Sequence, residues 1–346
     1  MTQKEQRPFI CAKAPLRVSF SGGGTDIAPY CDEFGCVVLS TSINKYSLIS
    51  LAPRKDREVN LHSFDFGNAV NIKFNLDQKP VYNGMLDLAK AVIEEMALDT
   101  GFDVYMYTDA PPASGLGTSS TFTVAMLGAL HEYAHLTQDS YAIAERAHEI
   151  ERIKLQYTGG RQDQYAAAFG GFNLIEFHRH NTVVTPLRIS RKILQDIESH
   201  MLLCYTGKTH YSSDLIRQQI RYYEEKRLDT LSGLHELKRI TYEMKDVLVH
   251  GDIYTFAKMI DESGELKKRI NPNAIPPVIE EMYQTALAAG ALGGKLLGAG
   301  GGGFLLLFCP IMRRHDVMKA LTRLGGSFMQ ANCEEFGMKT WRSQWS

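Results

Sequence analysis

The stretch Pro111-Pro112-Ala113-Ser114-Gly115-Leu116-Gly117-Thr118-Ser119-Ser120 stands immediately before a segment, Ser119 to Ala134, whose apolar residues recur at helical spacing. A glycine-containing loop that opens a helix is a phosphate cradle. The first-turn amides lack intrahelical acceptors, and the positive end of the helix dipole points the same way. The hydroxyls of Thr118, Ser119 and Ser120 add donors, and one of them can ligate Mg²⁺. Ser and Thr are also ordinary helix caps, but the extra glycines and the run of hydroxyls favour an anion. No Gly-Lys-Ser/Thr closes the loop, so it is not a Walker A sequence, and its glycines are too few for a dinucleotide fingerprint.

Around this loop the chain changes character along its length. Upstream, Leu16–Phe20, Val37–Ser40, Tyr46–Leu51, Val59–Phe64 and Val104–Tyr107 are rich in β-branched and aromatic residues and read as strands of a mixed sheet. Downstream, a second helix runs from Asp139, an N-cap, to about Gln156, and Phe172–Phe177 reads as another strand. Beyond Arg188 long amphipathic helices take over: Asp214–Lys226, Leu231–Val249, Ile253–Glu262 and Pro277–Ala289. An apolar strand, Phe304–Phe308, and a helix around Asp316–Leu324 end the pattern. The reading is an α+β protein of two units, 1–189 and 190–346, with a cleft between them.

Three further segments carry chemistry. A strand runs into Ser21-Gly22-Gly23-Gly24-Thr25-Asp26, where glycines permit close backbone approach, although an ordinary tight turn with Asp26 as an N-cap fits equally. Gly298-Ala299-Gly300-Gly301-Gly302-Gly303 concentrates five glycines in six positions between Lys295-Leu296-Leu297 and the strand Phe304–Phe308. That cost in chain entropy argues for backbone placed against a ligand. Gly159-Gly160-Arg161-Gln162-Asp163 sets one carboxylate beside one guanidinium, which suits a base held ionised by a neighbouring cation. Most such neighbours are inconsequential surface pairs.

The 38 Lys and Arg balance 39 Asp and Glu, so no global field draws the chain to nucleic acid or an anionic membrane. No apolar run spans a bilayer, the polar start leaves no room for a signal peptide, and six cysteines without a CxxC pair read as reduced thiols. A cytoplasmic enzyme is expected.

Taken in order, these segments resemble the three signature motifs of the GHMP kinases, the superfamily of galactokinase, homoserine kinase and mevalonate kinase. The middle motif, usually Pro-x-x-x-Gly-Leu-Gly-Ser-Ser, departs here only by Thr118 for the first serine and by Ser120 and Thr121 where alanines are usual. The resemblance implies a ribosomal-S5-like N-terminal domain and a ferredoxin-like C-terminal domain, with ATP and Mg²⁺ bound between them. Pro112, Gly115, Leu116, Gly117, Thr118, Ser119 and Ser120, with Gly300 and Gly301 of the third motif, match positions around the ATP phosphates. Ser119 and Glu151 match the metal ligands, the latter at an offset from Asp163 one residue longer than in mevalonate kinase. Asp163 matches the catalytic carboxylate and Arg17 the basic residue near the transferred phosphoryl group. Gly23, Gly24, Thr25 and Asp26 match acceptor-binding positions. The first motif lacks the Gly-Glu-His-Thr-Asp form of galactokinase and is similar to the fucokinase and heptose-kinase branch. The implied reaction is phosphorylation of the anomeric O1 of a sugar phosphate, a heptose 7-phosphate, on the route to a GDP-activated heptose, with Arg161 and Lys208 assigned to the acceptor's own phosphate. The implied partners are ATP and the sugar phosphate, with no nucleic acid and no membrane, and a homodimer is left open. A fucokinase-like sugar 1-kinase, a sugar-sensing protein without turnover, and a decarboxylase of the mevalonate-diphosphate type are the rivals.

Overall fold

The computed structural model describes residues 8–64, 70–137, 139–208 and 213–344. In the first half, strands β1 (Phe9–Ser21), β2 (Cys36–Pro53), β3 (Glu58–Ser63), β4 (Val70–Asn75), β5 (Phe102–Thr108), β6 (Phe172–Phe177) and β7 (Thr182–Pro186) join one mixed sheet. Its pairs are antiparallel except β3 with β5. Helices α1 (Tyr30–Phe34), α2 (Asp87–Met96), α3 (Thr118–Tyr133), α4 (Ser140–His148) and α5 (Gln162–Phe169) accompany it. The second half holds α6 (Arg191–His200), β8 (Met201–Tyr205), α7 (Ser213–Glu224), α8 (Leu228–His250), α9 (Ile253–Ile270), α10 (Pro277–Ala288), β9 (Gly293–Leu296), β10 (Phe304–Phe308), α11 (Ile311–Arg323), β11 (Ser327–Met329) and β12 (Lys339–Ser343). A four-stranded antiparallel sheet in the order β11-β8-β10-β9 is packed with these helices. The architecture is α+β, with two sheets in two halves of the chain, as the sequence leads one to expect.

β1 locks the two halves together and aims the site. Its residues Ile10, Ala12 and Ala14 lie in the core of the first half, whereas Leu16, Val18 and Phe20 lie in a second core with Phe256, Leu306 and Phe308. The ladder with β2 is irregular between Pro15 and Arg17, and a bulge of that kind re-aims side chains. The apolar face of β1 passes from one core to the other there, leaving Arg17 and Ser19 on the opposite face, toward the cleft.

Several boundaries differ from the sequence reading. Val37–Ser40 and Tyr46–Leu51 belong to one strand, because residues 41 and 42 continue its ladders with β1 and β6 although Thr and Ser give no apolar alternation there. Asp139 caps its helix by accepting from the Tyr141 amide (3.1 Å), but the helix opens into a π-helical stretch over Glu149–Lys154. Gly293–Leu296 is a strand. Its glycines make room for neighbouring backbone: a Cβ on Gly293 would lie 2.4 Å from the Ala257 carbonyl oxygen, and one on Gly294 2.2 Å from that of Leu306. Residues 190–346 also fail to form a closed unit. β12 pairs antiparallel with β1, so the chain's end returns to the first sheet.

Candidate active site

The loop before α3 runs between the two halves in an open cleft of about 610 Å³. Gly115 and Gly117 take φ of +85° and +77°, values that glycine adopts without strain. Gly117 precedes the first turn of α3, and no side chain caps that helix end, which leaves the cradle amides for a ligand. The third glycine segment presses directly on this loop. A Cβ on Gly298 would lie 2.7 Å from Gly115 Cα, and one on Gly303 2.2 Å from the Ser114 carbonyl oxygen, which also accepts from the Phe304 amide (2.9 Å). The glycines therefore let two backbones from opposite halves touch.

Of the residues assigned to ATP phosphate, Pro112, Gly115, Gly117, Thr118, Ser119, Ser120 and Gly300 line the cleft. Leu116 does not. Its side chain is buried in the second core while its carbonyl accepts from the Arg17 amide (3.1 Å). Gly301 supports from behind, donating its amide to Ala274 O (2.8 Å).

Arg17 and Asp163 meet at the floor. The Arg17 guanidinium reaches Asp163 Oδ1 through Nε (2.9 Å) and Nη2 (2.7 Å), and Nη1 donates to the Gly115 carbonyl. Arg17 is 4% exposed and Asp163 22%, so the carboxylate keeps access to the cleft while its partner stays enclosed. A Cβ at Gly117 would come within 3.3 Å of Asp163 Cγ and 3.5 Å of Arg17 Cγ, so the loop closes over the pair.

Glu151 is fully buried in the π-helical stretch. Its Oε2 accepts from Ser120 Oγ (2.9 Å) and Arg152 Nη1 (3.0 Å), while Oε1 accepts no hydrogen bond among the described residues. Burial pushes this carboxyl up, against the opposing pull of Arg152 and Ser120. A buried carboxylate oxygen without a partner on a residue that lines the cleft, with the exposed Ser119 on α3, is a donor set that fits a hard divalent cation completing its shell with phosphate and water. Ser120 itself is committed to Glu151 and to Gln164 Nε2 (2.9 Å).

The acceptor side differs from the sequence reading. Asp26 is not a helix cap. Its oxygens accept from the amides of Gly24 (2.9 Å), Arg161 (2.9 Å) and Gln162 (3.1 Å) and from Gln162 Nε2 (3.3 Å), bracing the first glycine turn against the start of α5. Burial outweighs these donors and raises its carboxyl. Thr25 is fully buried and its hydroxyl donates to Gly22 O (2.7 Å), so it does not reach a ligand. Arg161 turns to Asp32 (2.7 Å) and Lys208 is exposed, and neither lines the cleft. Gly23 and Gly24 do, beside Gln162 and Gln219, whose Nε2 donates to Gly24 O (2.8 Å).

Two cations in the wall were not read as site residues. Lys295 on β9 donates to Phe20 O and Ser263 Oγ, both at 3.2 Å, and Lys267 on α9 donates to Leu296 O (3.1 Å) and Gly298 O (2.6 Å). Both line the cleft that holds Arg17. Burial and the Arg17 charge lower Lys295 to about 7, and burial, Lys295 and Arg17 lower Lys267 well below its ordinary value. The one local signal was Lys295 at the edge of the glycine run; Lys267 has none.

Comparison with known proteins agrees with this geometry. Residues 83–171 match the model of the GHMP kinases N terminal domain and residues 244–325 that of the GHMP kinases C terminal. A D-glycero-alpha-D-manno-heptose 7-phosphate kinase of Campylobacter jejuni is 34% identical, with 96% of this chain and 99% of that protein aligned. An L-fucokinase/L-fucose-1-P guanylyltransferase of Bacteroides fragilis is 27% identical over 86% of this chain but only 34% of its own length. A solved D-glycero-D-manno-heptose 1-phosphate kinase of Bacteroides thetaiotaomicron superposes with a TM-score of 0.80 at 31% identity, covering 97% of this chain and all of that one. A Lactococcus lactis galactokinase with galactose gives 0.78 at 18% identity, covering 96% and 95%, which speaks for the fold alone.

Proposed function

The chain belongs to the GHMP kinases, and we propose that it transfers the γ-phosphoryl group of ATP to the anomeric O1 hydroxyl of a sugar phosphate, a heptose 7-phosphate. The observation that carries the reading is the Arg17–Asp163 pair closed over by Gly117 at the mouth of the phosphate loop. The near full-length likeness to a heptose 7-phosphate kinase supports the choice of acceptor. Described helices include none long and apolar enough to cross a membrane, in keeping with a reaction in the cytoplasm, where ATP is at hand.

The chain's own groups supply positioning and charge. Free amides at the start of α3 hold phosphate oxygens. Asp163 accepts the O1 proton as the oxygen attacks phosphorus, with Arg17 fixing the carboxylate's orientation and countering charge that builds on the transferred group. The donors suited to Mg²⁺ are Ser119 and Glu151, and a bound Mg²⁺ would neutralise charge on the phosphate chain. Gln162, anchored through Asp26, faces the acceptor with an Oε1 that has no partner among the described residues.

The test is ATP consumption over a panel of free sugars and sugar phosphates, with phosphorus NMR of the product. Heptose 7-phosphate should outpace free heptose, fucose and galactose by a large factor in kcat/KM, since a phosphate pocket left empty keeps its cations unmatched. The new phosphorus signal should couple to the anomeric proton. Faster turnover of free fucose or galactose would overturn the acceptor and leave the kinase.

A further inference from the structure

We propose that Lys295 and Lys267, with the Ser19 hydroxyl of the same cleft, form a site for a phosphate dianion that is separate from the amides at the start of α3 and selects a phosphorylated acceptor. The proposal rests on the sugar-phosphate kinase reading and names the residues that enforce it. It replaces Arg161, which pairs with Asp32, and Lys208, neither of which is among the described residues that line the cleft.

The first argument is charge. Five cations line the cleft, and among the described residues Arg17 pairs with Asp163, Arg152 with Glu151 and Arg217 with Asp214, which leaves Lys267 and Lys295 without an ion pair. Both lysines donate only to neutral oxygens, backbone carbonyls and the Ser263 hydroxyl, with no carboxylate partner among the described residues. Desolvated ammonium groups are costly without a counter-ion. Retaining two side by side makes sense when a doubly charged anion occupies the space they enclose. Lys295 is lowered to about 7 by this crowding, which an arriving dianion would reverse.

The second argument is independent of charge. Ser19 is 5% exposed, lines the cleft, and its Oγ has no hydrogen-bond partner among the described residues. Buried hydroxyls are nearly always paired, so this one is left for a ligand oxygen. It lies one position along the same β1 face from Arg17, and a Cβ at Gly23 would come within 3.3 Å of it, which ties it to the acceptor side. Lys295 donates to the carbonyl of the next residue, Phe20, so ammonium and hydroxyl flank one end of β1.

Two phosphates could fill such a site, the one the acceptor carries and the one in transit from ATP. Steady-state kinetics of Lys295→Met and Lys295→Arg with heptose 7-phosphate, free heptose and ATP separates them, and calorimetric titration of inorganic phosphate into enzyme saturated with a non-hydrolysable ATP analogue gives a readout without turnover. If the acceptor's phosphate binds here, Lys295→Met raises KM for heptose 7-phosphate about 10-fold or more, a far larger factor than for ATP, erodes the kcat/KM preference for heptose 7-phosphate over free heptose, and weakens inorganic phosphate by a like factor, while Lys295→Arg restores most of these losses. If the transferring phosphoryl binds here instead, kcat falls equally with both acceptors and inorganic phosphate does not bind beside the analogue, and the proposed selection of a phosphorylated acceptor is overturned. Unchanged KM, kcat and phosphate affinity in Lys295→Met overturn it. Should the wild type use no sugar phosphate yet bind inorganic phosphate in a Lys295-dependent way, the acceptor reading fails and the anion site survives.

Discussion

The two walls of the cleft are made of different material. On the proposed nucleotide side, backbone forms the wall: glycines at positive φ, the start of α3 without a side-chain cap among the described residues, and a second glycine segment pressed against the first. On the proposed acceptor side, side chains line it: Gln162 on Asp26, Gln219 on Gly24 O, and Ser19, Lys267 and Lys295 from β1, α9 and β9. A backbone cradle requires particular residue types at consecutive positions, so it leaves a motif. A side-chain pocket draws single residues from distant segments and leaves almost none.

The Arg17–Asp163 pair sits where the walls meet, and breaking it should have the largest effect. Asp163→Asn should lower kcat by about two orders of magnitude or more with ATP affinity nearly intact, as expected for loss of a general base. Near wild-type kcat in a stopped-time assay would remove Asp163 from proton transfer.

A pair of glycine substitutions separates the walls. Gly160→Ala puts a Cβ 2.1 Å from Asp26 Oδ2 and so disturbs the brace behind Gln162, whereas Gly300→Ala, at φ +121°, puts one 2.3 Å from the Ala274 carbonyl oxygen behind the glycine segment. The first should raise KM for the sugar phosphate by about 10-fold with little change for ATP, and the second should do the reverse, displacements near 1 Å being felt on this scale. Equal effects of both substitutions on both constants would mean that the walls act as one. Smaller again is Ser119→Ala, which should shift the Mg²⁺ concentration for half-maximal rate several-fold, because one of few protein ligands is lost from an intact loop. Superimposable Mg²⁺ titrations would place the ligand elsewhere.

The same contrast explains what could be read in advance. The phosphate loop, Arg17 and Asp163 stand out in the sequence because each is embedded in a motif, and the structure brings them into one cleft; β6 and α10 begin where periodicity and Pro277 put them. Thr25 was misplaced, because a hydroxyl in a glycine turn looks the same whether it faces a ligand or donates to Gly22 O. The return of β12 to β1 was illegible, since pairing across more than three hundred residues has no local signature. Lys267 reads as one more cation in the last turn of α9, beside Lys268 and Arg269. Only the fold distinguishes it, by bringing Leu296 O and Gly298 O to its ammonium.

If the acceptor wall holds lysines awaiting an anion, the unliganded protein must carry a cost that pH and phosphate relieve. Lys295 is lowered from 10.5 to about 7 by burial and Arg17, and Lys267 on α9 is a second cation close enough to couple with it. Between those values the unfolded chain keeps a proton on this lysine that the folded chain has released, so this residue makes stability rise with pH. The cost is complete below pH 7 and gone above 10.5, with a limiting slope of about 1.4 kcal/mol per pH unit between them. Thermal midpoints of wild type and Lys295→Met, measured without ligand from pH 7 to 9, should converge as pH rises, with the variant the more stable at pH 7. Inorganic phosphate should shrink the gap at pH 7 by stabilising the wild type alone. Parallel pH curves, or equal stabilisation of both proteins by phosphate, would mean that Lys295 has its counter-charge within the chain, and the acceptor wall would then be as complete without its ligand as the nucleotide wall.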